Sequence, residues 1–561
     1  MIESNIPVGT SDFSEIRQEH FYYIDKSGLI GELLRTRGTK VTLITRPRRF
    51  GKTLCMSMLA NFFDIRKESS VLFDGLSITK NQKICENWMN RYPTLFLSFK
   101  DIDGNTFGSA LGMLRRTIAA ICIEHAYLAD SEKIADADRI SFQNLMSSKG
   151  DASEIKNALK TLIRMMRMHY GKPVILLLDE YDVPIAKAAG YGVKTGYHDK
   201  MMEVVSPLIG TAIKDNSDLK FAVLTGCLRL AKESIFTGTN NFVSDTISDT
   251  KLNEYFGFTQ EEVNRLLADT GLMSHNAELK AWYDGYHFGN YDVYCPWDVM
   301  NHVNNLLLRP ETSPAGYWEN TSHNDIIRSF LDRTQFDVSE KFEILLSGGY
   351  IMETLEEKLT YDVLTSSEEN LWTLLYFTGY LTKVRDVDLP CLPPAGKCAL
   401  SIPNAEIMAL FQKTVKNWFY DKSAKSDRRE LFTALWNADV KKLNELLSDT
   451  LFDTISYHDY NESFYHAFLT GLMSQAGYQV ESNYENGLGR SDIVIKDKPN
   501  RQAVVIEAKV ADRENRMEAE CTDALRQIEE KQYARKIERS GYQKVIRLGI
   551  SFWRKKCLIK K

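Results

Sequence analysis

Four short runs of apolar residues stand out in the first half of the chain. They cover residues 41–45 (VTLIT), 94–99 (TLFLSF), 174–178 (VILLL) and 221–225 (FAVLT), and long amphipathic stretches separate them. Strands that are covered on both faces of a parallel sheet have such nearly continuous apolar patterns. The alternation of these runs with helical stretches therefore predicts an α/β domain with a mostly parallel sheet.

The pattern becomes helical after residue 250. Thr259 and Glu262 have the spacing of a capping box, which predicts a helix running toward Gly271. We expect a lid or connector in this part of the chain.

A second helical stretch covers residues 369–380, and two strand-like stretches, 381–385 and 399–402, flank a loop containing three prolines. A helix followed by a hairpin indicates a winged-helix-like element. The polar stretch 421–430 is a plausible linker before the last part of the chain.

Residues 42–58 predict a strand, a short loop ending in Gly51-Lys52-Thr53 and a helix, which is the order of a phosphate-binding loop. Gly51 allows the backbone to approach phosphate, Lys52 would neutralise the β and γ oxygens, and the hydroxyl of Thr53 would bind Mg²⁺. Arg46 stands where the general GxxxxGK[ST] pattern has its first glycine. On these residues alone, a chance GKT in a basic surface loop remains an alternative.

The strand predicted at 174–178 ends in paired acids. Asp179 would hold Mg²⁺ through water, and Glu180 would orient and polarise an attacking water. The run at 94–99 adds a strand between Lys52 and this pair along the chain, which indicates the ATPase branch of phosphate-loop proteins with an inserted strand. An acid next to the metal-binding Asp favours water as the nucleophile, so a small-molecule kinase fits poorly.

Further candidates follow the next strand. Thr225 ends it and is a candidate sensor of the γ-phosphate, while Arg229 or Lys232 would reach phosphate or a neighbouring subunit. Solvated surface cations are the simpler interpretation of the last two residues.

The C-terminal part carries a second set of chemical groups. Asp492 opens one predicted strand, and Glu507 and Lys509, two residues apart, share one face of the next. The two carboxylates would converge on one Mg²⁺ or Mn²⁺, and Lys509 would stabilise or orient the attacking hydroxide. The alternative is an amphipathic hairpin whose solvent face carries these charges, although charge in so apolar a strand is costly.

Predicted helices lie on either side of this pair of strands. The upstream helix, 461–471, carries Glu462, which would join the metal from the side or through water. The downstream helix, 523–534, carries Gln527 and Lys531 on one face. The expected order is therefore helix, strand, strand, helix.

Composition limits the remaining choices. A length of 561 residues exceeds one ordinary core, and the net charge of -5 leaves room for a local basic surface. Residues 531–561 hold eleven Lys or Arg and one acid, Glu538, which fits either a phosphate-binding surface or a solvated tail. Nine cysteines without a CxxC pair, together with no leader-like or bilayer-length apolar run, predict a cytoplasmic protein without a membrane partner.

With these motifs the chain resembles a bacterial family that joins an AAA-ATPase-like domain to a C-terminal PD-(D/E)XK nuclease-superfamily domain. RPRRFGKT at 46–53 matches that family's phosphate loop, including Arg49, so Arg46 departs from the general motif and not from the family. LLLDEYD, LTGCLRLAKESIF and YFGFTQEEV resemble its later ATPase motifs, and GRSDIVI and VVIEAKV resemble its nuclease signature. Gln527 with Tyr533 resembles the helix motif that follows.

The resemblance implies ATP binding and a nuclease-like fold. We expect three parts: an AAA-ATPase-like phosphate-loop domain at 1–245, a helical lid and connector at 246–425, and a nuclease-like α/β domain at 426–561. The leading hypothesis is an ATPase that governs access of DNA or RNA to a Mg²⁺-dependent nuclease site. The alternative is a nucleotide-dependent switch or interaction protein with a non-catalytic nuclease fold, and both readings leave homo-oligomers open.

Overall fold

The structure is a computed structural model. It describes residues 5–35, 38–190, 196–228, 242–318, 339–356, 367–424, 429–454, 465, 469, 473, 478–486, 489–554 and 556–561. The chain forms two compact units, the first made of Met1–Ser322 and Tyr350–Ile407, the second of His323–Gly349 and Met408–Lys561. No helix among the described residues combines the length and apolar character that a bilayer crossing requires.

The first unit is built on a five-stranded sheet in which every neighbouring pair is parallel. Its strands are β1 (Val41–Thr45), β2 (Thr94–Ser98), β3 (Val174–Asp179), β4 (Leu219–Gly226) and β5 (Phe242–Asp245). The prediction of a parallel sheet from four apolar runs is therefore confirmed. The short, half-polar β5 was not predicted.

The order of the strands in space is β2-β3-β4-β1-β5. One strand does separate the phosphate-loop strand β1 from the acid-bearing strand β3, as expected of the ATPase branch. That strand is β4, however, whereas β2 lies at the edge of the sheet. Sequence order alone did not identify which strand is inserted.

Helices pack around this sheet. The apolar side chains of β1 to β4 share one core with the helices Phe107–Glu124, Asp136–Met146, Ala152–Tyr170 and Tyr197–Ile213. The helices are α1 (Phe13–Gln18), α2 (Gly28–Arg35), α3 (Lys52–Phe63), α4 (Gln82–Trp88), α5 (Phe107–Glu124), α6 (Asp136–Met146), α7 (Ala152–Tyr170), α8 (Val183–Gly190) and α9 (Tyr197–Ile213).

The rest of the first unit is largely helical. The predicted capping box is confirmed, because the side chain of Thr259 accepts from the amide of Glu262 and the side chain of Glu262 accepts from the amide of Thr259. The elements here are α10 (Gln260–Thr270), α11 (Asn276–Tyr283), β6 (Tyr286–Phe288), β7 (Tyr291–Val293), α12 (Pro296–Leu308), β8 (Ile351–Glu353), α14 (Glu368–Phe377), β9 (Thr382–Lys383) and β10 (Cys398–Ser401).

The helix followed by a hairpin is also present. After α14, β9 pairs with β10 in antiparallel fashion, and β8 adds a third, unpredicted strand on the other side of β10. Helix α15 (Ala405–Ala424) begins in the first unit and continues into the second.

The second unit contains a mixed five-stranded sheet of order β11-β12-β13-β14-β15, in which β13 and β14 are parallel and the other neighbours antiparallel. Its remaining elements are α13 (Ser339–Leu346), α16 (Arg429–Asn437), α17 (Val440–Thr454), β11 (Gln479–Asn486), β12 (Gly489–Asp497), β13 (Gln502–Val510), α18 (Met517–Glu530), α19 (Tyr533–Arg539), β14 (Lys544–Trp553) and β15 (Lys556–Lys560).

Strands β12 and β13 confirm the predicted adjacent pair. The prediction of one helix over 523–534 is wrong, because Gln532 takes a left-handed conformation (φ 55°) that ends α18 and starts α19. Much of the basic stretch 531–561 forms β14 and β15 and is not a solvated tail. Of the predicted helix 461–471, the described residues Tyr465 and Leu469 are helical.

The two faces of the β12 and β13 pair are covered by different helices. Ile493, Val504 and Ile506 share a core with α16 and α17. Val494 and Val505, which alternate with them, pack against residues of α18 and α19. Side chains that alternate along a strand point to opposite faces, so α17 and α19 lie on opposite sides of this sheet.

Candidate functional site

The loop between β1 and α3 has the backbone of a phosphate cradle. Gly51 adopts φ 80° and caps α3 without a side-chain hydrogen bond, so the first amides of the helix stay available for an anion. The buried ammonium group of Lys52 donates to the carbonyl oxygens of Arg46 (2.9 Å) and Pro47 (2.8 Å). Lys52 therefore holds the start of the loop against its end.

The carboxylate of Asp179 is the meeting point of four elements. Its Oδ2 accepts from the hydroxyl of Thr53 (2.9 Å) at the start of α3 and from that of Ser98 (3.4 Å) at the end of β2. Its Oδ1 accepts from the hydroxyl of Thr225 at the end of β4. The predicted residues Thr53, Asp179 and Thr225 thus lie together, and Ser98 is an addition that its position at a strand end could have indicated.

Glu180 follows Asp179 in a left-handed backbone conformation (φ 52°) that a non-glycine residue rarely adopts. Its amide donates to the hydroxyl of Thr225 (3.4 Å). Burial raises the pKa of Glu180, and the charge of Lys52 opposes that rise. The side chain also lines the cavity that contains Gly51, Lys52 and Thr53.

The last two residues of the motif DEYD fix the loop after β4, which sequence reasoning missed. The buried carboxylate of Asp182 accepts from the amides of Cys227 and Leu228, each at 3.0 Å. The hydroxyl of Tyr181 donates to the carbonyl of Leu228 (2.8 Å). The acid motif therefore fixes the segment leading to Arg229 and Lys232, which lie outside the described residues.

Arg46 is a buried structural residue in this structure. Its guanidinium pairs with the carboxylate of Asp245 on β5 and donates to the carbonyls of Thr45 (2.8 Å) and Asp245 (3.0 Å). The ring of Phe256 lies 5.1 Å from the guanidinium carbon. The side chain that replaces the first glycine of the general motif thus ties the loop to the neighbouring strand.

Arg49 has contacts on the side of the loop facing the helical part of the unit. It adopts φ 73°, its guanidinium lies 4.8 Å from the ring of Trp297, and it donates to the carbonyl of Tyr317 (2.5 Å). A cavity of about 250 Å³ adjoins it, lined by the loop, by the N-terminal segment that includes Val8 and Thr10, and by α12. No pattern in the sequence pointed to Trp297.

In the second unit, Asp492 and Glu507 are adjacent across β12 and β13. The carboxylate of Asp492 accepts from the amide of Ala508 (2.8 Å), and the amide of Asp492 lies 3.4 Å from Oε2 of Glu507. Glu507 is only 2% exposed, and the ammonium group of Lys509 lies 3.7 Å from its Oε1. The structure thus brings the three predicted residues of this site together.

Two helix residues support Glu507. The amide nitrogen of Gln527 on α18 donates to Oε1 of Glu507 and lies 3.3 Å from the hydroxyl of Tyr533 on α19. Helical spacing along the sequence could not predict the contact between Gln527 and Tyr533. The left-handed residue Gln532 lies between them and separates the two helices.

The donor set fits a hard divalent cation. Within the described part of the chain, no three His, Cys, Asp or Glu side chains are arranged to hold a metal ion, and Glu462 lies outside that part. Two neighbouring carboxylates with water completing the shell is, however, the usual way in which Mg²⁺ binds. The oxygen pair of Thr53 and Asp179 fits the same ion beside a triphosphate.

Comparisons with known proteins give family matches at the two ends of the chain. Residues 7–236 match the family described as predicted AAA-ATPase, and residues 460–561 match the PD-(D/E)XK nuclease superfamily. A relative from Azotobacter chroococcum mcd 1, the uncharacterized protein in the vnfD 5' region, is 25% identical over 99% of this chain and 97% of its own length. The full-length match shows that the arrangement of the whole chain recurs in that protein.

Proposed function

Since this chain carries an AAA-ATPase-like domain and a PD-(D/E)XK nuclease-superfamily domain, we propose that it is an ATP hydrolase that controls a Mg²⁺-dependent nuclease acting on DNA or RNA. The observation that carries the proposal is the assembly of two chemically distinct sites. One gathers Lys52, Thr53 and Asp179 in the first unit, and the other gathers Asp492, Glu507 and Lys509 in the second.

The residues of the first site divide the work of hydrolysis. Bound Mg²⁺ would screen the charge of the triphosphate, and Thr53 and Asp179 are the residues that would hold it. Lys52 would bind the β and γ oxygens, with the loop amides around Gly51. Glu180 would accept a proton from the attacking water, and Thr225 keeps both Asp179 and the backbone of Glu180 in place. Arg49 would approach the nucleotide from the cavity side.

The second site contains the groups that phosphodiester hydrolysis requires. Asp492 and Glu507 would hold a divalent ion, Mg²⁺ or Mn²⁺. When bound, that ion would activate water and offset charge on the leaving oxygen. Lys509 would orient the nucleophile and stabilise charge that develops on the phosphate. Gln527 and Tyr533 fix the orientation of Glu507, and we propose Glu462 as an additional ligand from the upstream helix.

We also propose a functional division at residues 245 and 425, which does not coincide with the boundaries of the two compact units. The first part would bind ATP, the middle part would close over the nucleotide, and the last would cut nucleic acid.

The test is a grid of full-length proteins assayed for ATP hydrolysis and for cleavage of single-stranded DNA, duplex DNA and RNA, with and without ATP. Lys52→Ala should abolish hydrolysis, and Glu507→Ala should abolish cleavage while hydrolysis persists. Lys40→Ala and Asp497→Ala are matched controls. Lys40 donates to a carbonyl elsewhere on the same sheet, and Asp497 is a buried carboxylate at the other end of the β12 and β13 pair.

The rival function, a nucleotide-dependent switch with a non-catalytic nuclease fold, is favoured by one observation. The carboxylate of Glu507 is already engaged by Gln527, Lys509 and the amide of Asp492. That arrangement predicts no heat on titration with Mg²⁺ or Mn²⁺. Heat that disappears in Glu507→Ala would favour the nuclease, and nucleotide-dependent assembly without any cleavage would favour the switch.

A further inference from the structure

The second unit presents a row of cations beside its carboxylate site. Helix α19 buries Tyr533, Ala534 and Ile537 against the sheet, and its opposite side is exposed. We call the exposed cations at the α18 and α19 junction and along α19 the basic face, and they are Lys531, Arg535, Lys536 and Arg539.

Most cations of this face lack a compensating carboxylate. Among the residues that the structure describes, no Asp or Glu oxygen lies within 4.0 Å of Lys531, Arg535 or Arg539. Neighbouring cations do have such partners, since Arg526 lies 2.9 Å from Asp523 and Arg547 lies 2.6 Å from Glu538. On the C-terminal strand β15, Lys556 and Lys560 are also paired, at 2.5 and 2.8 Å. The positive charges of Lys531, Arg535 and Arg539 are therefore exposed to solvent.

The basic face lies on the same side of the sheet as the candidate metal site. Asp492 shares its side of β12 with Val494, and Glu507 shares its side of β13 with Val505, and both valines pack in the core that contains Tyr533 and Ile537. The first residue of α19 is connected to the site through α18. The hydroxyl of Tyr533 contacts the side-chain nitrogen of Gln527, which donates to the carboxylate of Glu507. A helix of seven residues is about 10 Å long, so the cations of α19 lie along one short helix whose first side chain contacts Gln527.

We propose that the basic face binds the sugar-phosphate backbone of the nucleic acid strand whose scissile phosphate enters the Asp492, Glu507 and Lys509 site. This inference rests on the proposed nuclease function. Lysine and arginine on an exposed helix face neutralise phosphates and release condensed counterions, which gives affinity without sequence preference. Because the cations follow one another along one helix on the side of the sheet that carries Glu507, the strand would be held on that side.

The experiment measures binding of fluorescein-labelled single-stranded DNA, duplex DNA and RNA of one sequence to the full-length protein by anisotropy. EDTA in the buffer separates binding from cleavage. We expect a variant combining Lys531→Gln, Arg535→Gln and Arg539→Gln to bind at least about tenfold more weakly. The slope of log K against log salt should become shallower by about 0.9 per lost duplex contact or about 0.7 per lost single-strand contact.

The matched control for Lys531→Gln removes one lysine charge from a helix on the other side of the sheet. Lys441 is exposed on α17, which packs on the opposite face, so Lys441→Gln should bind like wild type while Lys531→Gln loses affinity. Cleavage in Mg²⁺ at low protein concentration should fall in parallel with binding. The circular dichroism melting temperature should stay unchanged, because the altered side chains are exposed.

Three outcomes would overturn the inference in distinguishable ways. If wild type binds and cuts and the triple variant does both equally well, the nuclease proposal stands and the basic face does not hold the strand. If wild type neither binds nor cuts any of the three nucleic acids, the nuclease proposal fails and the inference fails with it. If wild type binds a polyglutamate probe but no nucleic acid, and the triple variant loses affinity for that probe, the basic face would be assigned to acidic peptides instead.

Discussion

The hydroxyl of Thr53 donates a 2.9 Å hydrogen bond to the carboxylate of Asp179, across 126 positions of sequence. This contact joins the two halves of the candidate nucleotide site, the loop before α3 and the acid pair after β3. It also places two side-chain oxygen atoms side by side at the start of a helix, where we propose that a cation bound to a triphosphate lies.

Replacement of Glu180 by Gln should separate binding of ATP from its hydrolysis. The amide keeps the shape of the side chain but cannot accept the proton of the attacking water, so we expect kcat to fall by about 10²- to 10⁴-fold. The affinity for ATP, measured by calorimetry, should change little. Glu203→Gln on the exposed side of α9 is the control, and full hydrolysis by Glu180→Gln would remove Glu180 from the proposed mechanism.

The pH dependence of hydrolysis should report the environment of Glu180. Burial raises the pKa of its carboxyl group, and in the mechanism that we propose the ionised form would be the base. Activity should therefore be full above the raised pKa and lost as pH falls through it. We expect the acidic limb of the kcat/KM profile to lie above the range of an ordinary Glu, about 4.3. A limb within that ordinary range would contradict this assignment.

Gln527 should act on the metal site through Glu507. Gln527→Ala removes the hydrogen bond that orients the carboxylate, and loss of such a supporting group weakens metal binding or activity by about 10- to 100-fold. Calorimetric titration with Mn²⁺ measures this directly. Gln543→Ala, at an exposed position before β14, should bind metal like wild type. Equal affinities in the two variants would mean that Glu507 needs no support from α18.

The pair of Arg46 and Asp245 should matter for stability. Both side chains are buried, so Asp245→Asn leaves an uncompensated charge, and we expect a loss of about 3–5 kcal/mol in the free energy of unfolding. Combining Arg46→Met with Asp245→Leu should recover much of that loss. The exposed pair of Arg385 and Asp388 provides the comparison, since Arg385→Gln should cost no more than about 1 kcal/mol in urea unfolding.

The buried carboxyl groups of Glu406 and Asp298 should make stability depend on pH. Burial raises the pKa of Glu406, and the neighbouring Asp298 raises it further. The folded state then binds more protons than the unfolded state between the ordinary and the raised pKa, so the free energy of unfolding falls as pH rises through that interval. Glu406→Gln should flatten this dependence in urea unfolding at pH 5.5, 7.0 and 8.5, and an unchanged slope would assign it to other groups.

Much of the fold was predictable because its elements carry local patterns. The strands β1 to β4 are apolar runs that both faces of a covered sheet require, and the capping box at Thr259 is a contact between residues three positions apart. The same holds for β12 and β13. The strands β5, β11 and β15 are half-polar or rich in charge, so their patterns did not distinguish them from loops. Strand β14 is mostly apolar, but it lies within the basic stretch 531–561, whose charge had favoured a surface or a solvated tail.

The residues of the candidate sites were predictable, as was the convergence of Asp492 and Glu507, but most contacts that hold these residues in place were not. Lys52, Asp179, Glu507 and Lys509 stand out because their side chains interrupt apolar segments or follow glycine. The clamp of Asp182 on the amides of Cys227 and Leu228 depends on how β3 and β4 pair, across 45 and 46 positions. No local signal marks such a contact.

The sequence by itself determined which chemical groups are present, since strand ends, the glycine before Lys52 and the spacing of Glu507 and Lys509 are local properties of the chain. Only the tertiary structure decided which strand lies between β1 and β3, that Arg46 pairs with Asp245, and that Gln527 and the cations of α19 lie on the side of the sheet where Glu507 is. These relationships join residues far apart in sequence, and their positions are fixed by burial and strand pairing, which depend on the whole fold and not on neighbouring residues.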